Sequence, residues 1–334
     1  MPTSPQTRAP PIDRSAKRLG RLDALVRLLH AVGYSRPGTQ AIGLRRMTTH
    51  FFRCASHLDM FCDWWGNPAN PALQQALALR PSLATCVLHP YLHVDWSIAR
   101  KVDVISKHYE MLRGRLGFLR FAPSSSIALA ELGEGLQIRL DKPGKFEHEG
   151  ELTINLFKGE LRLYSLAFTL GQIGSQRVAY AGGLQGLGST VALEMIRSLT
   201  HRMHGSRPRD LLVTAFRFLC LSLEVTRILA ISDAKRVSSS SYFKSSTLVF
   251  SSYDSAWSDS GGAAGDDGFF ELSPHVVQRA SVDIPSRKRA QYRRRYVMID
   301  ALSQQIDSAV RQASWWHAIT VTNAADDSGC RDGI

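Results

Sequence analysis

Cysteine is scarce and never paired at short range. Cys54, Cys62, Cys86, Cys220 and Cys330 are the five in 334 residues, and no two form a Cys-x-x-Cys unit. So sparse and odd a set excludes a disulfide scaffold and fits a reducing compartment. Cys54, His57 and Cys62 lie within two helical turns, but no second ligand pair follows at zinc-site spacing, so no metal is assigned. Long apolar runs are also missing. The most apolar region, Leu211 to Val225, is broken by Arg217 and is too short to cross a bilayer. Residues 1–30 carry Arg8, Arg14, Lys17, Arg18, Arg21 and Arg27 without an unbroken apolar core, so they do not read as a secretory signal. The expected location is cytoplasmic. Acidic residues are the third shortage: 29 Asp and Glu face 41 Lys and Arg, for a net charge of +12. That balance favours anionic partners.

Apolar residues make up 44% of the chain and aromatics 9%, enough for a folded core and too many for a disordered chain. The pattern divides the chain into a tail (1–14), a helical N-terminal region (15–116), an α/β core (117–312) and a flexible tail (313–334). Leu22, Leu25, Leu28 and Leu29 recur at helical spacing, and a further helix is expected over residues 97–116. Beyond Gly117 the period becomes two. Leu136, Ile138 and Leu140 alternate with polar residues, as do Leu152, Ile154 and Leu156, across a Lys142-Pro143-Gly144 turn. Residues 161–170 and 177–182 read as two more strands joined by a hairpin at 171–176. A glycine-rich turn follows over residues 182–188, then a helix from Thr190 to Gly205. Pro208 opens a helix that is apolar nearly all round and therefore buried. Residues 227–232 read as a core strand and 235–268 as loop. Pro285-Ser286 begins the last helix, whose stripe is Tyr292, Tyr296, Ile299, Leu302, Ile306 and Val310. The fold class is α+β: helices first, then a mostly antiparallel sheet flanked by helices.

Three features bear on chemistry. The first is the turn Gly182-Gly183-Leu184-Gln185-Gly186-Leu187-Gly188, where glycines let backbone approach an anion at the start of the next helix. Gln185-x-x-Gly188-x-Thr190 resembles the Gln/Arg-x-x-Gly-x-Gly/Ala loop with which GNAT-type acyltransferases hold the pyrophosphate of acyl-CoA. Thr190 replaces the final small residue. The alternative is a tight turn without a ligand. The second is the run Arg287, Lys288, Arg289, Arg293, Arg294 and Arg295, able to meet phosphates or to form a solvated helix face. Nothing beside it reads nucleic-acid sequence: there is no helix-turn-helix, zinc finger or RNA-binding aromatic motif. The third is His108, a candidate general base, with Tyr253 beside Asp254 and Trp257 as a second proton-handling candidate. Gly-x-Ser-x-Gly, Walker and His-Glu-x-x-His motifs are absent.

The order of motifs is itself informative. His108-Tyr109, Gly182 to Gly186, Gly205-Ser206-Arg207-Pro208-Arg209, Ile228-Leu229-Ala230-Ile231-Ser232, Tyr253-Asp254-Ser255-Ala256-Trp257 and the long Pro285 to Tyr296 run occur in succession. In this the chain resembles the bacterial VirK/YbjX family, over roughly residues 20–312. The loop at 234–250 departs from the family pattern, with a serine run where a histidine and basic residues are usual. The resemblance implies a bacterial cytoplasmic protein, linked in some pathogens to virulence and envelope stress, and no established reaction. Two functional readings follow. In one, an acyltransferase takes an acyl group from acyl-CoA or an acyl carrier protein. Gly183, Gln185, Gly186, Gly188 and Thr190 hold the pyrophosphate, Arg287, Lys288 and Arg289 add charge, and His108 or Tyr253 moves the proton. In the other, a noncatalytic adaptor meets an acidic protein or an anionic membrane surface through its basic helix.

Overall fold

The computed structural model describes residues 56–65, 70–80, 82–112, 126–187, 190–243 and 252–326, with positions 26 and 52. The side chains of 84–85, 190–193, 241 and 314–326 are not included. The tail at 1–14 and, apart from Val26, the expected helix around Leu22 to Leu29 fall outside the described residues.

Among the described residues four helices come first: α1 (Leu58–Trp65), α2 (Pro71–Leu79), α3 (Ser82–Cys86) and α4 (Ile98–Leu112). The Asn70 side chain caps α2 by accepting from the Leu73 N–H, and Pro71 takes the first helical position, where no N–H is needed. In α4, Val104, Ile105, His108, Tyr109 and Leu112 form the buried face at helical spacing.

Eight strands form one sheet in the order β1-β2-β3-β4-β5-β6-β8-β7. Their ranges are β1 Ser126–Glu131, β2 Leu136–Asp141, β3 Leu152–Lys158, β4 Leu161–Ile173, β5 Gln176–Gly186, β6 Arg227–Ile231, β7 Ala263–Ala264 and β8 Phe269–Leu272. All neighbours are antiparallel except β5 and β6. The parallel step is made through α5 (Thr190–Arg202) and α6 (Pro208–Ser222). β2 keeps the expected alternation of buried and half-buried positions. The middle of the sheet is buried on both faces because helices cover both. On one face Tyr180 of β5 accepts from Arg100 of α4, and Thr169 of β4 meets Tyr91. On the other, Phe168 packs on Phe216 of α6 at 5.0 Å between ring centroids.

The chain closes with α7 (Tyr253–Asp259) and α8 (Arg289–Asp326). In α8, Ile299, Leu302, Ile306, Val310 and Ala313 are buried, the four larger side chains contributing about 1.5–3 kcal/mol each. Several expectations change. The last helix runs on to Asp326, so its backbone is helical where a tail was expected. The segment from Gly182 to Gly186 is strand, not turn. The hairpin before it is tighter than expected, with Gly174 at φ +58°. Residues 235–268 hold α7 and β7 as well as loop.

Candidate functional site

β5 and β6 pair over only four residues each, Val178–Ala181 with Arg227–Ala230. β5 then runs from Gly182 to Gly186 with β4 as its only strand partner among the described residues. At that divergence β5 carries a bulge. Ala167 faces Gly183 and Phe168 faces Ala181, so Gly182 is the extra residue. In open parallel sheets the carboxyl ends of strands, at the point where neighbours part, are the usual ligand position, and this single parallel pair reproduces that local geometry.

Buried polar side chains gather there. Glu149, in the β2–β3 connection, accepts from Gln185 Nε2 at 2.9 and 3.0 Å. The Tyr253 hydroxyl meets the Gln185 side chain and the Leu184 backbone. Arg236 lies over the Tyr253 ring at 4.9 Å and pairs with Asp233 at 3.0 Å. Asp233 fixes the whole corner. Its carboxylate accepts from the Tyr253 and Asp254 N–H groups and from the Ser252 hydroxyl, which locks the first turn of α7. Burial pushes the Glu149 carboxyl up to about 7, against the hydrogen bond from Gln185 and the charges of Arg236 and Lys145. Burial and the nearby Glu149 charge hold the Tyr253 phenol well above its ordinary range. The pair therefore offers a carboxylate that accepts a proton near neutrality and a phenol that stays protonated.

The glycines serve this corner by their smallness. A Cβ on Gly182 would strike the Glu149 backbone oxygen and Leu92, and one on Gly183 would strike the Glu149 carboxylate. A Cβ on Gly186 would meet the Tyr164 ring at 2.6 Å. These three positions are filled by the chain's own atoms. Gly188 lies outside the described residues, as does the Thr190 side chain, although the backbone of α5 begins at Thr190. Gly183, Gln185 and Tyr253 are thus brought together, with Glu149 among them.

The cations are not brought to this corner. Arg287, Lys288 and Arg289 are exposed. Their helix meets α5 at its far end: Arg295 donates to the His204 carbonyl at 2.7 and 3.0 Å, just past the C-terminus of α5. No hydrogen bond or ion pair among the described residues links the three to β5.

His108 lies elsewhere on the α4 face of the sheet, fully buried. Its Nδ1 accepts from the Leu170 N–H at 3.1 Å, which places the ring proton on Nε2. Burial lowers its pKa to about 4, with Glu151 opposing and Arg80 reinforcing the shift. A neutral ring with Nδ1 engaged and Nε2 protonated is a hydrogen-bond donor, so this geometry does not suit the general-base role expected of it. Beside it, Glu151 accepts from Arg80 (2.5 Å), Tyr109 (2.7 Å) and Tyr91 (3.0 Å). His108, Arg80, Glu151 and Lys142 border a cavity of about 230 Å³ walled by Leu79 and Leu112. Among the described residues no cluster suits a metal ion.

Glu149, Glu151, Arg80 and Arg236 escaped the sequence reading. A signal was present. In β3 the row Leu152, Ile154, Leu156 implies that Glu151, Thr153 and Asn155 share the other face, and that face is buried too.

A family described as "Protein of unknown function (DUF535)" matches residues 42–308. The chain belongs to the DUF535 family. The match spans the sheet, the Glu149 corner and the His108 cavity alike. Among similar proteins, the "Uncharacterized protein YbjX" of Escherichia coli (strain K12) is 27% identical over 250 residues, covering 72% of this chain and 76% of that protein. An uncharacterized protein of Haemophilus influenzae is 23% identical over 224 residues, 66% of this chain and 75% of its own. A second from the same organism is 36% identical over 114 residues, about a third of each. These relatives agree with the VirK/YbjX resemblance of the motifs. No solved structure matches the chain. Among the described residues no helix is long and apolar enough to cross a membrane.

Proposed function

We propose that this DUF535 protein is an acyltransferase of GNAT-like design, moving an acyl group from acyl-CoA or an acyl carrier protein to an amine or hydroxyl. The observation that carries this reading is the parting of β5 from β6 directly before α5, with Glu149 and Tyr253 beside it. The anionic donor is assigned to the start of α5, after Gln185-x-x-Gly188-x-Thr190, because the first N–H groups and the dipole of a helix favour phosphate. α6 stands between α5 and β6, one helix more than the acyltransferase order requires.

The chemistry assigned to the corner is simple. The acceptor forms a bond to the thioester carbonyl carbon as the C–S bond breaks. Glu149 takes the proton the acceptor loses, and Tyr253 protonates the departing thiolate. Exchange with water then resets both groups. Gln185 positions the two. Thermal melting of the full chain with acetyl-CoA, longer acyl-CoAs and acyl carrier thioesters tests the reading. A rise in Tm with one donor class is expected, together with thiol release in the presence of an amine. Glu149→Gln is expected to keep the rise and lose the release. No rise with any donor overturns the reading.

A further inference from the structure

The surface around the start of α8 concentrates charge. Between His275 and Asp300 stand Arg279, Arg287, Lys288, Arg289, Arg293, Arg294 and Arg295 against Asp283 and Asp300 alone, a net +5 of the chain's +12. Arg295 turns inward to His204. The other six are exposed, and none joins an ion pair among the described residues. Buried counter-charges therefore do not account for them.

Exposed apolar side chains stand on the same two elements, α8 and the segment before it. Val277, Val282 and Val297 are exposed to 88%, 83% and 65%. Their placement follows from two bonded elements. The segment before α8 runs antiparallel along it: Gln278 donates to Asp300 at 3.1 Å, the Arg279 N–H donates to the Tyr296 hydroxyl at 3.0 Å, and Arg289 Nε donates to the Ile284 carbonyl at 3.1 Å. Val277 and Val282 ride on that segment. On α8 itself, at 3.6 residues per turn, Ala290, Arg293, Arg294 and Val297 fall within an arc of about 100°. That arc lies opposite the buried row of Ile299, Leu302 and Ile306.

We infer that this face docks on an anionic lipid bilayer. Basic side chains without ion-pair partners among the described residues, with exposed valines on the same helix and strap, match a negative headgroup layer with a shallow apolar boundary beneath it. The positive field draws the protein in, and the valines enter the boundary. The inference is independent of the acyl-transfer reading, since the Glu149 corner contributes nothing to it.

Co-sedimentation of the full chain with vesicles tests it. Vesicles of phosphatidylcholine doped with phosphatidylglycerol are expected to bind, and pure phosphatidylcholine is not. Added salt is expected to weaken binding. Arg293→Ala and Arg294→Ala are each expected to weaken it about fivefold. Val277→Asp, Val282→Asp and Val297→Asp are expected to weaken it further while leaving Tm unchanged, since all three side chains are exposed. No binding to the anionic vesicles at low salt overturns the inference, as does equal binding to neutral ones. Binding indifferent to the arginine variants, or to all three valine variants, overturns it too.

Discussion

The side-chain amide of Gln185 donates to both carboxylate oxygens of Glu149, across 36 residues of sequence. Glu149 is nonetheless easier to protonate than an ordinary glutamate, because burial outweighs the bond. A carboxyl whose folded pKa lies above its unfolded value costs the fold stability as it ionises. The Glu149 contribution to stability is therefore expected to fall between about pH 4.5 and pH 7 and to level off above. Glu149→Gln removes that fall, worth about 3 kcal/mol at pH 8. Urea denaturation of both proteins across this range checks it.

His108 works in the opposite sense. Its folded pKa of about 4 is below the unfolded value of 6.5, so the stability it gives is present above pH 6.5 and is lost as pH falls toward 4. In the shared window the two slopes oppose each other. The wild-type protein is expected to be nearly flat between pH 4.5 and 6.5, and Glu149→Gln to become acid-sensitive there. A flat profile in the variant refutes this.

His108→Leu strands the Leu170 N–H inside the sheet. A loss of about 1–3 kcal/mol at pH 7.5 is expected, shrinking at pH 5 as the wild type loses the benefit of a neutral ring. Chemical denaturation at the two pH values reads the difference.

Gly183→Ala puts a methyl group where the Glu149 carboxylate lies. A cost of about 1–3 kcal/mol is expected, and less than that in a Glu149→Ala background, because the obstacle is gone. An additive double-mutant cycle defeats the claim that Glu149 is what the glycine accommodates.

Glu151→Gln leaves Arg80 without its carboxylate. With Glu151 fully buried and Arg80 partly so, a loss toward the lower end of about 3–5 kcal/mol is expected. Tyr91→Phe and Tyr109→Phe each remove one donor to the same carboxylate and are expected to cost about 1.5–3 kcal/mol. Comparison of the three midpoints in urea checks the ranking.

Much of the framework was legible because it depends on local rules. The α8 row from Ile299 to Val310 follows helical spacing, β2 and β3 follow alternation, and Pro208 sits at the first position of α6. The candidate corner was only half legible. Tyr253 and Gln185 drew notice from their own neighbourhoods. Glu149 had no local mark, since its burial comes from strands that follow it in the chain. For the same reason the glycines at 182 and 183 looked like a turn. Within a sheet a glycine also marks where other backbone comes close, and here that backbone lies far away in sequence. The short strand β8 was missed because four residues carry too little periodicity to be seen.

The bond between Gln305 of α8 and the backbone of Glu131 in β1 ties the last helix to the outermost strand over 174 positions. During synthesis β1 leaves the ribosome long before the helix that shields it. Until α8 arrives, that margin of the sheet has open hydrogen-bonding groups able to recruit a second nascent chain. Truncation before residue 289 is therefore a route to clumping rather than to a smaller working protein.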